Sequence, residues 1–305
     1  MSATWMDTGD MTAVSVGERQ SVGDVFASVL DEIVRTVPYS SAASFHQFFG
    51  AGAPPWAMGR GCGWQAFELA RQVEEQCGVS PTYLVSGGHV PAFYIDGEGV
   101  TVLDPYLPHV TPLRLDRSRE SDGIVRVEVD AYPIRVRPDG SPAPSRLRGT
   151  WWVREGSFAL EYLRYGPRRG DYAAYRAYTF QPASMVPSTP IPEGLMRKVL
   201  ASPMQNNLSI RTVHRDDRQM REIVLPLTGR PRERLVDRGC LISKDNQGAV
   251  SPIGHPGFDR NLEFIADTVG VAPEEVVEFV MDAAALCHRI APLDRVWPDY
   301  SVEDE

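Results

Sequence analysis

Cys62 lies in the stretch GRGCGWQAFELARQVEEQCG, flanked by Gly61 and Gly63 where a helical pattern begins. A helix start lowers a thiol's pKa, because unpaired backbone N–H groups and the helix dipole favour the thiolate. The glycines leave room for a substrate to approach the sulfur. A nucleophilic thiol also needs a base, and the base needs a group to orient it. His89 and Asp104, fifteen residues apart in HVPAFYIDGEGVTVLD, could supply both. If Asp96-Gly97 forms a two-residue hairpin turn, Ile95 faces Glu98 and His89 faces Asp104. The carboxylate would then fix the imidazole tautomer, as a Cys-His-Asp triad requires. A four-residue loop at 96–99 would make the pair diagonal but keep it on one face of the sheet.

The elements that must hold these residues follow from periodicity. Residues 21–37 place Val25, Phe26, Val29, Leu30, Ile33 and Val34 on one face of a helix that Pro38 ends. A loop containing AGAPPWAMGRG leads to a second helix from about Gly63 to Gln76, stopped by Gly78. From Thr82 short apolar runs alternate with turn residues. Strand-like segments recur at 124–129, 132–137, 150–153, 157–163 and 175–181, as in a meander or small barrel. A short helix at 193–201, strands at 207–213 and 221–226, and helices at 259–268 and 274–290 complete the pattern. The expected fold class is α+β: an N-terminal helical region carrying the nucleophile, a central β-barrel-like sheet and a C-terminal α/β lid. The corresponding regions are a flexible tail at 1–20, helices at 21–80, the β region at 81–185 and the lid at 186–305.

Composition narrows the function classes. A net charge of −9 argues against a nucleic-acid partner. No apolar run approaches the about 18 residues of a membrane span, and the first 20 residues lack the basic start and apolar core of a signal peptide. A cytoplasmic location with no membrane partner is expected. The four cysteines, at 62, 77, 240 and 287, form no C-x-x-C and no zinc spacing with histidine, so no metal is expected. Cys77 and Cys287 suit buried helix positions, and Cys240 a loop or strand.

These residues resemble the arylamine N-acetyltransferases, a branch of the transglutaminase- and papain-like superfamily. The resemblance rests on RTVPYSSAASF (35–45), GRGCGW (59–64), GGHV (87–90), TVLDPYL (101–107) and STPIPEGLMRKVLAS (188–202). It implies ping-pong acyl transfer from a thioester donor, acyl-CoA or an acyl carrier protein, through acyl-Cys62 to a small-molecule amine. No bound cofactor is implied. Tyr39 and Tyr106 would flank the acceptor with Leu107 at the pocket wall, and Thr189 matches a position near the pantetheine arm. The chain departs from the family pattern at Gly63-Trp64-Gln65 and at Pro105-Tyr106-Leu107, and its Cys-to-His spacing is shorter. Divergent members act as amide synthases in natural-product biosynthesis, which the altered pocket residues would suit. The same triad with water as acceptor would make an amidase or thioesterase, and an inert thiol would leave a binding protein.

Overall fold

The first helix forms where the apolar stripe predicts it. In the computed structural model, α1 (Val22–Thr36) begins at Ser21, whose hydroxyl accepts from the Asp24 N–H, and buries Val25, Phe26, Val29, Leu30, Ile33 and Val34. Val37 is extended, as a residue preceding proline must be. The structure describes residues 21–50, 52–186, 193–201, 205–227 and 234–291. The N-terminal tail, Thr189 and the closing acidic segment lie outside them.

Strand β1 (Tyr39–Ser40) and helix α2 (Ser41–Phe49) occupy part of what the sequence reads as loop. Ser40 caps α2 by accepting from the Ala43 N–H, and all of Ser41–Phe45 is buried. A nine-residue helix is marginal alone and depends on packing. Helix α3 (Cys62–Cys77) ends at Gly78, which takes the left-handed φ of 72° typical of a helix stop.

Strands β2 (Thr82–Leu84), β3 (Ala92–Ile95), β4 (Gly99–Leu103) and β5 (Leu113–Asp116) pair antiparallel in sequence order. Strands β6 (Ile124–Val136), β7 (Pro142–Trp152), β8 (Ser157–Gly166) and β9 (Asp171–Phe180) form a second antiparallel meander. Strand β10 (Met185–Val186) returns to the free edge of β2. The expected barrel does not close. Leu113 and Leu115 of the first sheet, and Leu147 and Leu160 of the second, share one core, so the sheets meet through side chains rather than through edge hydrogen bonds. A Cβ on Gly149 would stand 2.6 Å from Leu113 Cδ2, which shows how closely they approach.

The C-terminal part comprises α4 (Glu193–Leu200), β11 (Asn207–Val213), β12 (Met220–Pro226), β13 (Ile242–Lys244), β14 (Val250–Pro252), α5 (Pro256–Val269) and α6 (Pro273–Ile290). Its sheet runs β1-β11-β12-β13-β14. Phe45 of α2 lies in the same core as Ile210, Ile223, Phe258 and Val280. The N-terminal segment is therefore part of the C-terminal unit's core, and the chain's order does not match its layers. Among the described residues no helix is long and apolar enough to cross a membrane.

The β3–β4 register differs from the two-residue expectation. Ile95 pairs with Val100, and the Asp96 N–H donates to Gly99 O at 3.0 Å. Asp96 Oδ1 accepts from the N–H groups of Glu98 and Gly99, so the aspartate side chain closes the four-residue version of the loop. The left-handed glycine turn lies elsewhere. Gly87 (φ 56°) and Gly88 (φ 84°) separate Ser86 from His89, which exchange backbone hydrogen bonds of 3.0 and 2.9 Å.

The approach to Cys62 depends on one further glycine. Gly59 has φ 78°, and a Cβ there would lie 2.2 Å from the Pro38 carbonyl oxygen. Gly59→Ala is expected to lower unfolding free energy by at least about 1–3 kcal/mol from backbone strain alone. Chemical denaturation measures this, and an unchanged midpoint would contradict the tight packing of this loop on β1.

Candidate active site

Cys62 is the first residue of α3 and follows Gly61, whose backbone is extended. The segment before it is fastened to β1: the Ser40 N–H donates to Arg60 O (2.8 Å) and the Arg60 N–H to Pro38 O (2.9 Å). The Arg60 guanidinium lies 4.9 and 5.1 Å from the ring centres of Trp56 and Trp64, and donates to Gly59 O at 2.7 Å. A Cβ on Gly61 would fall 2.3 Å from Ser44 Oγ, so α2 packs directly behind the loop that leads to Cys62. The opening N–H groups of α3 have no carbonyl one turn earlier in the helix to bond, and an oxyanion beside Cys62 could take them up.

His89 follows the diglycine turn and is 3% exposed; Asp104, just beyond β4, is 1% exposed. The imidazole Nε2 donates to Asp104 Oδ2 at 2.6 Å. The other ring nitrogen, Nδ1, is buried without a hydrogen-bond partner, which leaves it for Cys62. Burial alone would lower the pKa of His89. Attraction and hydrogen bonding to Asp104, reinforced by Cys62, outweigh that penalty and push it up to about 10.

Asp104 is itself held from three sides. Its Oδ1 accepts from the N–H groups of Tyr106 (3.2 Å) and Leu107 (3.3 Å). Its own N–H donates to Nε2 of His109, and His109 Nδ1 donates to Thr111 O at 2.6 Å. Burial lowers the pKa of His109, consistent with the neutral ring that this bonding requires. The sequence reading gave His109 no part in the site, because a bond to a backbone N–H leaves no signal in residue type or spacing.

Cys62 and His89 open onto a cavity of about 1090 Å³, with Tyr39, Tyr106, Tyr178 and Arg211 among its lining residues. The Tyr39 and Tyr106 rings meet edge to face at 4.7 Å, and Tyr106 and Tyr178 lie 5.0 and 4.4 Å from the His89 ring. Leu107 is not at the wall: it is 1% exposed and packs with Phe93 and Leu147 between the sheets. Its backbone N–H, rather than its side chain, serves the site. Arg176, Tyr178, Arg211 and Glu222 also line the cavity and escaped the sequence reading. They come from β9, β11 and β12, whose apolar patterns carry no sign of a site. No group of three metal-ligating side chains occurs among the described residues.

No protein-family model matches the chain, and no curated protein matches it. Among solved structures, the arylamine N-acetyltransferase from Mycobacterium abscessus aligns over 88% of this chain and 90% of its own, at 11% identity and a TM-score of 0.48. At that distance the reaction has to be argued from the site itself.

The raised His89 pKa has a definite sign. The stability it contributes is complete below the ordinary value of 6.5 and is lost as pH rises through about 10. Side-chain NMR is expected to show His89 still protonated at pH 8. Cys62→Ala should lower its titration midpoint, because Cys62 is one of the groups raising it. Titration near 6.5 in the wild type would contradict the buried pair.

Proposed function

We propose that this chain is an acyltransferase that carries an acyl group from a thioester to an amine through acyl-Cys62. The observation supporting this reading most directly is the meeting of Cys62 and the buried His89–Asp104 pair at one cavity. In the first half-reaction the Cys62 sulfur attacks the thioester carbonyl carbon, and a new C–S bond forms as electrons move onto the oxygen. N–H groups at the start of α3 stabilise that oxyanion, a contribution of roughly 3 kcal/mol per donor. The intermediate collapses, the donor's C–S bond breaks, and His89 Nδ1–H protonates the departing thiolate. In the second half-reaction the amine nitrogen attacks the acyl-Cys62 carbonyl, His89 takes the amine proton, and the Cys62 thiolate leaves as the amide forms. Asp104 keeps the imidazole oriented throughout.

The donor would be acyl-CoA or an acyl carrier protein, and the acceptor a small aryl or alkyl amine. A cavity of about 1090 Å³ has room for more than an acetyl group. That size suits an amide synthase acting on a larger natural-product intermediate.

Incubation with an acyl thioester is expected to add one acyl mass to Cys62, removed by aniline with formation of the anilide. Asp104→Asn should slow acylation by about 10²–10⁴-fold, the scale on which a misoriented base is felt. Absence of an adduct on wild-type Cys62 would overturn the reading. Turnover at the same rate with and without amine would assign water as acceptor and make the protein a thioesterase.

A further inference from the structure

Among the described residues, two arginines of the cavity wall have no carboxylate partner. Arg211, on β11, is 7% exposed, and among the described residues its guanidinium makes one hydrogen bond, from Nη2 to Tyr106 O at 2.6 Å. It lies 5.0 and 5.4 Å from the ring centres of Tyr39 and Tyr106. Arg176, on β9, donates from Nη1 to Tyr175 O (2.9 Å) and from Nε to Tyr106 Oη (3.4 Å). An enclosed guanidinium has five donors and ordinarily meets an acid. Glu222 stands opposite Arg211 in the β11–β12 register and also lines the cavity, yet forms no ion pair with it. With His89 matched by Asp104, Glu193 at the cavity's edge paired to Arg197, and Glu222 set against one guanidinium, one positive charge is left over.

The tyrosines register that excess. Burial raises Tyr39 and Tyr178, whereas Tyr106, equally enclosed, is lowered because Arg176 and Arg211 outweigh its burial. A place that favours a phenolate also favours a carboxylate. It lies about one aromatic ring from His89, since Tyr106 touches both Arg211 and the imidazole.

We propose that the molecule brought to Cys62 carries a carboxylate, which docks on the Arg211 and Arg176 guanidiniums beside the Tyr39–Tyr106 pair. The phosphates of a pantetheine thioester cannot fill this role, because the pantetheine arm holds them far from the thioester carbon that must reach Cys62. The inference rests on Cys62 as the reacting group, and its test requires no turnover.

Benzoate and benzamide, titrated calorimetrically into the wild-type protein, serve as charged and neutral probes of one shape. Benzoate is expected to bind at least about ten-fold more tightly, the scale of one charge-assisted hydrogen bond, and to slow iodoacetamide alkylation of Cys62 where benzamide does not. Arg211→Met should abolish the preference, and Arg211→Lys should keep part of it. Equal binding of the two probes by the wild type, or a preference that survives Arg211→Met, would overturn the proposal. A benzoate preference in a protein that forms no acyl-Cys62 would keep the carboxylate site and remove the acyltransferase reading.

Discussion

The hydrogen bond between His89 Nε2 and Asp104 Oδ2 joins two almost fully enclosed side chains, and much of the surrounding structure exists to keep it made. A buried carboxylate is costly unless its lone pairs are occupied, and losing either partner would strand the other. Two backbone N–H groups fill the other oxygen of Asp104, and His109 accepts from its main chain. The imidazole is set by the Gly87–Gly88 turn, whose left-handed φ values exclude most side chains. Helix α4 adds a steric limit there, because a Cβ on Gly88 would come within 2.5 Å of Val199 Cγ1. Each constraint is small, and together they leave the ring little freedom except toward Cys62.

Cys62 reaches this pair from a different core. Helix α1 and helix α3 share apolar contacts with β3, while the loop just before Cys62 is bonded to β1, which pairs with β11 of the C-terminal sheet. The cavity therefore forms where the three cores meet. Its walls come from α2, α3, the diglycine turn, β9, α4, β11 and β12. Aromatic rings and arginine stems displace water around the imidazole, and that lower polarity strengthens the charge interactions inside.

How much of this was legible depends on how local each feature is. Helices α1, α3, α5 and α6 follow from apolar residues at helical spacing, with Pro38 and Gly78 marking two of the ends. Helix α2 was hidden because its small residues are buried over a continuous run, so burial leaves no period to read. The sequence reading split β6 into strands at 124–129 and 132–137 and caught only the end of β7, and no local pattern shows that β5 and β6 fail to pair. Cys62 stood out by its helix start, and His89 and Asp104 by facing each other across the hairpin expected at Asp96-Gly97. His89 and Asp104 meet even though the hairpin register differs, because neither belongs to the paired strands and the turn after Asp104 carries its carboxylate back. Leu107 was misread for the same reason: its place in that turn sends its side chain into the core between the sheets. Arg176 and Arg211 contact Tyr106 from 70 and 105 residues away, and no short-range pattern announces a contact of that kind.

Those distant arginines change what the local residues can do. A Cys-His-Asp group in a cavity lined only by tyrosines would disfavour an anionic substrate, since burial raises the pKa of phenols and carboxylic acids alike. Here the three tyrosines respond differently. Tyr39 and Tyr178 behave as burial dictates, while Tyr106 is pulled the other way by the guanidiniums on either side of it. The positive field is thus concentrated at one wall, beside the aromatic pair and next to the imidazole. In the proposed reaction the triad attacks an acyl carbon, and in the proposed docking the arginines set which way round a charged molecule lies as it does so. The two proposed roles fall on separate parts of the chain, β2–β4 with α3 for the reaction and β9 with β11 for the docking, so either could change while the other is kept.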